Sequence, residues 1–203
     1  MAAEWELFSN STFASGVEST IAKDSSPLGV TSSFQYWDPY PISIVSAKGA
    51  WMTDVDGRQL LDLSMGFGAM LAGHLNEEVI VETKAALEGG TLFVTPSPIS
   101  RDGAERLCKR FGIEKVRFAN SGTEATMYAV RTAKAFNGKS AIVKVEGGYH
   151  GSYDPLTVSA KPSLDQAGNP EEPNPVIGHG VNAGVVFVVP FNNLPALEKV
   201  FAR

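Results

Sequence analysis

The turn Ser121-Gly122-Thr123 is the stretch of this sequence best suited to bind an anion. An apolar run precedes it and a helical pattern follows it, so the sequence predicts a strand over residues 116–119 and a helix over residues 123–136. The unpaired N–H groups and the positive end of the helix dipole would then face one point, where Gly122 lets the backbone approach a ligand closely. Such a turn can hold a phosphate group.

The same turn also has an interpretation without a ligand. Ser121 and Glu124 are three residues apart, which is the spacing of a capping box. In that motif the two side chains satisfy the first N–H groups of the helix by themselves. The local pattern therefore leaves both anion binding and simple helix capping open.

Residues 146–151 form a second turn, rich in glycine, directly after a predicted strand over residues 141–145. The carboxyl ends of neighbouring parallel strands meet at one edge of an α/β sheet, which is where ligands of such sheets bind. We therefore expect this turn beside the first one, with the ring of Tyr149 able to cover a flat ligand and His150 next to it. The alternative is that the glycines only shape the turn and that both rings are partly solvated. The two turns together are far more specific than either one alone.

The first 63 residues predict a helix and a small antiparallel sheet. Apolar residues at helical spacing indicate a short N-terminal helix: Phe13, Val17 and Ile21. An aromatic stretch with two prolines, residues 34–41, is predicted to be irregular. Between residues 42 and 63, short β-type runs alternate with the turn dipeptides Lys48-Gly49 and Asp56-Gly57, which predicts an antiparallel meander.

The remaining residues predict alternating helices and strands. A helix is expected over residues 76–88 with Asn76 as its N-cap, and another over residues 100–111 that ends at Gly112. The second of these helices would turn four residues inward: Ala104, Leu107, Cys108 and Phe111. A strand over residues 185–189 and a helix from about Leu194 follow.

The order strand, helix, strand is typical of a parallel sheet with crossover helices, so the predicted fold class is α/β. Before the last strand, residues 161–182 are rich in proline and glycine and are predicted to form one long loop. A loop of that length in a compact domain is functional or mobile.

The composition excludes several classes of protein. With 17 basic against 22 acidic residues the net charge is −5, and no basic run is present, which argues against a nucleic-acid partner. Glu4 and Glu6 stand where a signal peptide needs basic residues, and the longest apolar run, residues 185–189, is too short to cross a membrane. The single cysteine, Cys108, cannot form an internal disulfide. We therefore expect a cytoplasmic protein that has no metal site and binds neither nucleic acid nor membrane.

Four segments of the sequence resemble the class III (ω-) aminotransferases, above all the branch with glutamate-1-semialdehyde aminomutase and the β-amino-acid aminotransferases. The segments are residues 49–57, 73–74, 118–126 and 147–151. The resemblance runs from about residue 27 to the C-terminus in the order and spacing of the family. It implies a fold-type I transferase dependent on pyridoxal 5′-phosphate, in which an N-terminal arm and meander precede part of the mixed, mostly parallel sheet of the large domain.

The resemblance also implies roles for individual residues. The cofactor phosphate would bind at the first turn and the pyridine ring would pack at the second. The residues are Ser121, Gly122 and Thr123 for the phosphate, and Tyr149 with the nearby His150 for the ring. Phe67 falls where the family lines its substrate pocket with an aromatic or small polar group, whereas His74 is expected to be structural.

Two groups that transamination needs have no match in this sequence. They are the lysine that forms the Schiff base with the cofactor and the acid that keeps the pyridine nitrogen protonated. By the resemblance both are expected beyond Arg203, so no catalytic residue is assigned within the chain. Lys144 is interpreted as a residue of the sheet. The implied division is an N-terminal arm and small-domain meander over residues 1–63 and an incomplete cofactor-binding domain over residues 64–203.

The substrate end of the sequence departs from the family pattern. The aminomutases and β-amino-acid enzymes usually carry a carboxylate-binding arginine before the meander, whereas no arginine precedes Arg58 here. The aromatic stretch points instead to an apolar or bulky amino donor, or it only packs the N-terminal arm. The sequence predicts an aminotransferase that moves an amino group between an amine or amino acid and a keto acid or aldehyde. The alternatives are an aminomutase and a non-catalytic fragment that binds a phosphorylated ligand or a partner.

The resemblance further implies a homodimer, with residues 90–96 contributing to the subunit interface. The C-terminal remainder of the enzyme is the other expected partner. We expect the 203 residues alone to be inactive and to associate, because a parallel sheet without all its strands leaves edges and apolar faces uncovered.

Overall fold

In the computed structural model, which describes residues 2–202, the chain divides into two compact units, Met1–Thr95 and Pro96–Arg203. We call them the N-terminal unit and the C-terminal unit. The boundary expected from the sequence, between residues 63 and 64, concerns the complete domains of the family and stays a prediction. No helix within residues 2–202 combines the length and the apolar character that crossing a bilayer requires.

Among its described residues, the N-terminal unit contains three α-helices, two 3-10 helices of three residues each (Pro27–Gly29 and Ser33–Gln35) and the predicted meander. In chain order the α-helices and strands are α1 (Ala2–Ser11), α2 (Phe13–Ala22), β1 (Ile44–Lys48), β2 (Trp51–Asp54), β3 (Gln59–Leu61) and α3 (Glu77–Glu88). The strands pair antiparallel in the order β1-β2-β3, which confirms the meander. Gly49 and Gly57 take φ angles of 59° and 83° at its two turns, a region that glycine enters without steric cost. The predicted cap of α3 is also confirmed, because the Asn76 side chain accepts a hydrogen bond from the Val79 N–H.

Helix α2 forms where the spacing predicts it, yet the side that it buries is polar. Ser15 and Ser19 are buried, whereas Phe13 is 73% exposed. The Asp56 carboxylate, from the turn after β2, accepts hydrogen bonds from the N–H of Ala14 at 2.7 Å and from the N–H and hydroxyl of Ser15 at 3.1 and 2.8 Å. A carboxylate that meets free N–H groups in the first turn of a helix therefore attaches α2 to the meander.

The C-terminal unit alternates helices and strands. Its elements are α4 (Pro98–Phe111), α5 (Gly122–Asn137), β4 (Ile142–Val145), α6 (Asp154–Thr157), α7 (Leu164–Ala167), β5 (Gly168–Asn169), β6 (Glu172–Pro173), β7 (Val186–Val189) and α8 (Leu194–Phe201). Strands β4 and β7 pair parallel, which confirms the α/β prediction for this part of the chain. A small apolar core includes two residues of β7 and consists of Val158, Ala183, Val186 and Val188.

Three expectations for the C-terminal unit were wrong. Residues 116–119 do not form a strand, because no described strand pairs with them and a strand needs a ladder partner. Phe111 was expected to point inward but is exposed at the last turn of α4, where Gly112 ends the helix. Residues 161–182 are not one loop, since they contain α7 and the small hairpin of β5 and β6.

Candidate functional site

The first turn of α5 is half of a capping box. The hydroxyl oxygen of Ser121, the N-cap, accepts a hydrogen bond from the Glu124 N–H at 3.2 Å. The Glu124 carboxylate does not return to Ser121, as it would in the full motif, but accepts from the N–H of Asn120 at 2.6 Å. Helix geometry gives the N–H groups of Gly122 and Thr123 no acceptor within α5, so they remain directed out of the helix end.

The two turns singled out in the sequence meet in the structure. Gly151 has φ of 93° and lies so close to α5 that a Cβ added to it would come within 2.8 Å of the Thr123 Cα. The N–H of Ser152 donates to the Thr123 hydroxyl oxygen at 3.2 Å, and the Thr126 hydroxyl donates to the His150 carbonyl at 2.8 Å. The expected proximity of the turns is thus confirmed, and only glycine fits at the closest approach.

Two hydroxyl groups beside this contact can still donate. The oxygens of Ser121 and Thr123 act as acceptors toward backbone N–H groups, which leaves the proton of each hydroxyl available to an added acceptor. The space beside Gly122 is open, because a Cβ placed on it would meet no described atom within 4 Å other than those of its chain neighbours and the backbone of its own helix. Directed N–H groups, hydroxyl protons and open space together suit an oxygen-rich anion.

Tyr149 and His150 project from the second turn as accessible rings. Tyr149 is 56% exposed, and the His150 side chain is exposed as well. The His150 ring folds back over the turn, so that a Cβ on Gly148 would lie 2.9 Å from its Nε2. The His150 ring thus packs on its own turn, and both rings keep exposed surface.

Lys144 has surroundings that strand alternation does not reveal. It is buried in β4, and its Nζ donates to the carbonyl oxygens of Gly148, at 3.0 Å, and Val158. Removal of the ammonium group from water lowers the pKa of Lys144. Sequence reasoning placed Lys144 in the sheet and missed its bond to the second turn.

Phe67, the expected substrate-pocket residue, lies in the N-terminal unit on a strained turn. Met65, Gly66, Phe67 and Gly68 all have positive φ, with 56° at Phe67. Positive φ in a non-glycine residue costs free energy and persists only where the surroundings hold it. Phe67 is 84% exposed, and its ring meets that of Phe34 edge-on with 5.8 Å between the ring centroids.

Asp62 holds the start of that strained turn. Its carboxylate accepts from the N–H groups of Ser64 at 2.9 Å and Met65 at 2.8 Å, and it lies 2.8 Å from the His74 Nε2. The hydrogen bond with His74, followed by the one from Met65, lowers the pKa of Asp62 below its usual range. His74 also forms a backbone bridge with Gly49, and both contacts support a structural role for this histidine. Within the described residues, no group of three or more His, Cys, Asp or Glu is placed to hold a metal ion.

Known proteins with similar sequences and structures cover most of this chain. Residues 34–177 match the family Aminotransferase class-III. A glutamate-1-semialdehyde 2,1-aminomutase of Anaeromyxobacter dehalogenans is 41% identical over 187 residues, covering 89% of this chain and 42% of that protein. An ω-transaminase of Sphaerobacter thermophilus superposes with a TM-score of 0.88 at 32% identity, covering 93% of this chain and 44% of the other. A β-phenylalanine aminotransferase of Variovorax paradoxus gives a TM-score of 0.83 at 27% identity, with coverage of 100% and 43%.

The fold is that of the fold-type I transferases that depend on pyridoxal phosphate. Within that class, the chain belongs to the class-III aminotransferase family. It spans about two-fifths of the length of the curated relatives that it matches.

Proposed function

We propose that this chain supplies the phosphate-binding and ring-covering parts of a pyridoxal-phosphate-dependent aminotransferase. The observation that carries the proposal is the contact of Gly151 with Thr123, which joins the first turn of α5 to the turn that bears Tyr149. Two turns joined by hydrogen bonds between residues 24 and 29 positions apart in sequence thereby form one site, with anion donors on one side and an aromatic ring on the other.

The phosphate of the cofactor fits the first turn of α5. Ser121 and Thr123 would donate from their hydroxyl groups, and Gly122 and Thr123 from their N–H groups, into the open space beside Gly122. The helix dipole adds a favourable field for a dianion at this point. A neutral ligand would gain the hydrogen bonds but not the charge attraction, and a cation would be disfavoured by the dipole.

The ring of the cofactor fits the second turn. Tyr149 would pack on the face of the pyridine ring and exclude water from it, and His150 would line its edge. Pyridoxal phosphate supplies an electron sink that stabilises negative charge on the substrate carbon next to nitrogen. The contribution of this chain is to fix the orientation of that sink by holding both its phosphate and its face.

The covalent lysine and the acid for the pyridine nitrogen are assigned to the part of the enzyme outside this chain. Lys144 is buried, as a covalent lysine would be, but its ammonium group is engaged by two backbone carbonyls. The Lys144 nitrogen is therefore not available as the nucleophile that forms the Schiff base.

The substrate we propose is an apolar or bulky amino donor. Arg58 cannot serve as a carboxylate clamp, because its Nε and Nη2 already pair with Asp54 at 2.7 Å. The exposed edge-to-face pair of Phe34 and Phe67 offers an aromatic surface of the kind that such a side chain would contact. An aminomutase is the second candidate, supported by the name of the relative that is 41% identical.

A homodimer and a cytoplasmic location complete the proposal. Leu92 and Val94 are almost fully exposed in the segment expected at the subunit interface, and burying such side chains favours association. Cys108 is a free thiol, as is usual in a reducing compartment. The 203 residues without the remainder of the enzyme are proposed to be inactive.

The experiment is cofactor binding by variants of the full-length enzyme. Thr123→Val removes a hydroxyl donor to the phosphate, and a hydrogen bond to a charged group is worth roughly 1.5–3 kcal/mol, so affinity should fall by about tenfold or more. Tyr149→Ala should weaken binding of the cofactor and slow turnover. Matched controls on α5 are Thr132→Val and Tyr128→Ala, which should bind like the wild type. Wild-type affinity in both test variants would refute the site, and cofactor binding without any transamination would favour the non-catalytic alternative.

A further inference from the structure

Lys144 is a buried cation whose partners are all backbone carbonyls. The side chain is 5% exposed, and Nζ donates to Gly148 at 3.0 Å and to Val158. Among residues 2–202, no carboxylate oxygen lies within ion-pair distance of this nitrogen. Burying an ammonium group without a counter-ion is costly, so the group persists only because it satisfies the two carbonyls.

The two carbonyls belong to different segments. Gly148 is the residue before Tyr149, in the turn after β4, whereas Val158 is fully buried in the core of the unit. The N–H of Gly147 donates to the Ser159 carbonyl at 2.8 Å and gives a second tie between the same segments. Lys144 and Gly147 thus attach the start of the turn to residues 158–159.

Residues 158–159 are a firm point of attachment. Ser159 is buried with φ of 48°, and its N–H donates to the Val176 carbonyl at 2.8 Å. Its hydroxyl oxygen accepts from the Val176 N–H at 2.9 Å. The other end of the turn is held by Thr126 through the His150 carbonyl. Tyr149 therefore lies between two fixed points, and the one before it depends on Lys144.

We propose that Lys144 is a positioning residue, which holds the Gly148 carbonyl against the core and thereby sets the direction of the Tyr149 ring over the cofactor. Only the last step, the direction of the Tyr149 ring over the cofactor, rests on the proposed function. Lysine suits the task because its long aliphatic stem can cross an apolar layer and its ammonium group offers three donors. Removing it would leave two carbonyls, one of them fully buried, without this donor.

The test compares Lys144→Met with Lys144→Arg in the full-length enzyme, with Lys139→Met as the control because Lys139 is exposed just before β4. Without cofactor, hydrogen exchange of residues 147–150 should be faster by about tenfold or more in Lys144→Met, the factor that one lost charge-assisted hydrogen bond implies. With pyridoxal phosphate, the visible circular dichroism of the bound cofactor should weaken, because the ring loses its fixed orientation. Affinity for inorganic phosphate should stay unchanged, since the donors of α5 are untouched. Lys144→Arg should restore part of both signals.

The outcomes separate the two proposals. Exchange and circular dichroism equal to wild type in Lys144→Met would overturn the positioning role while leaving the proposed function intact. Equal losses of phosphate affinity and cofactor signal, with no recovery in Lys144→Arg, would also overturn it, because they indicate general unfolding. A wild-type enzyme that binds inorganic phosphate but no pyridoxal phosphate would instead overturn the proposed function, and unchanged exchange in Lys144→Met would then overturn the attachment of the turn as well.

Discussion

The two units of the chain bury different kinds of side chain. Among the described residues, those buried in the N-terminal unit are polar: Thr12, Ser15, Ser19, Asp54 and Asp62. Those buried in the C-terminal unit are mainly apolar: Pro155, Leu156, Val158, Pro173, Ala183, Val186, Val188 and Val189, joined by Lys144 and Ser159. Directed hydrogen bonds therefore shape the first unit, whereas packing shapes the second. The stability of the N-terminal unit should therefore depend on charge and pH, and the stability of the C-terminal unit on side-chain volume.

The largest effect on stability is expected from a cavity in the C-terminal unit. Val158→Ala removes two methyl groups from a fully buried position and should lower the free energy of opening of β4 and β7 by about 2 kcal/mol, the transfer and cavity contributions together. Hydrogen exchange of the β4 and β7 amides in the full-length enzyme measures this. Val185→Ala, at a half-exposed position beside β7, is the control and should change little. Equal effects of both substitutions would contradict a packed core.

The next effect concerns the attachment of α2. Removal from water raises the pKa of Asp56, but the hydrogen bonds from Ala14 and Ser15 outweigh this, so the pKa lies below its ordinary value of 3.8. A carboxyl with a lowered pKa stabilises the folded form above its ordinary pKa, and this contribution is lost as the pH falls through the folded value. Residues 13–22 should therefore lose protection from hydrogen exchange below about pH 3.8, relative to the intrinsic rates.

Asp56→Asn should expose α2 already at neutral pH and remove this acid transition. The control is Asp24→Asn, because Asp24 is an exposed acid just after α2. Protection of α2 that stays the same in Asp56→Asn would mean that apolar contacts, not this carboxylate, hold the helix.

The smallest effect is expected at an exposed ion pair of the C-terminal unit. Lys199 and Glu172 lie 3.2 Å apart with both side chains 60% exposed. Exposed pairs of this kind contribute about 0–1 kcal/mol, so Lys199→Met should shift the melting temperature little, and less still at high salt. A loss of stability as large as that expected for Val158→Ala would show that charge contacts also stabilise this unit.

The parts of the fold that local sequence determines were predictable. Asn76 at the start of α3 and Gly138 at the end of α5 act within one turn of the chain, and so do the glycines of the meander. The strand expected at residues 116–119 failed because a strand depends on a neighbour, and no described strand supplies one. Nothing in the sequence indicated that α2 buries a polar side, since its partner Asp56 is 41 residues from Ser15.

The candidate site also has features that the sequence predicted and features that it could not. The sequence predicted that the two turns lie together, and the structure confirms this although the strand expected before the first turn does not form. The sequence could not show that Glu124 bonds to Asn120 and leaves the full capping box unformed. Nor could it show that Lys144 reaches the Val158 carbonyl, 14 residues further along the chain. Both depend on where separate segments meet.

A crystal structure of the full-length enzyme with pyridoxal phosphate tests the central claim most directly. We expect the phosphate oxygens within hydrogen-bond distance of Ser121, Gly122 and Thr123, and the Tyr149 ring stacked on the pyridine ring. Arg58 should remain paired with Asp54. A cofactor bound elsewhere, with the first turn of α5 contacting only solvent, would contradict the account.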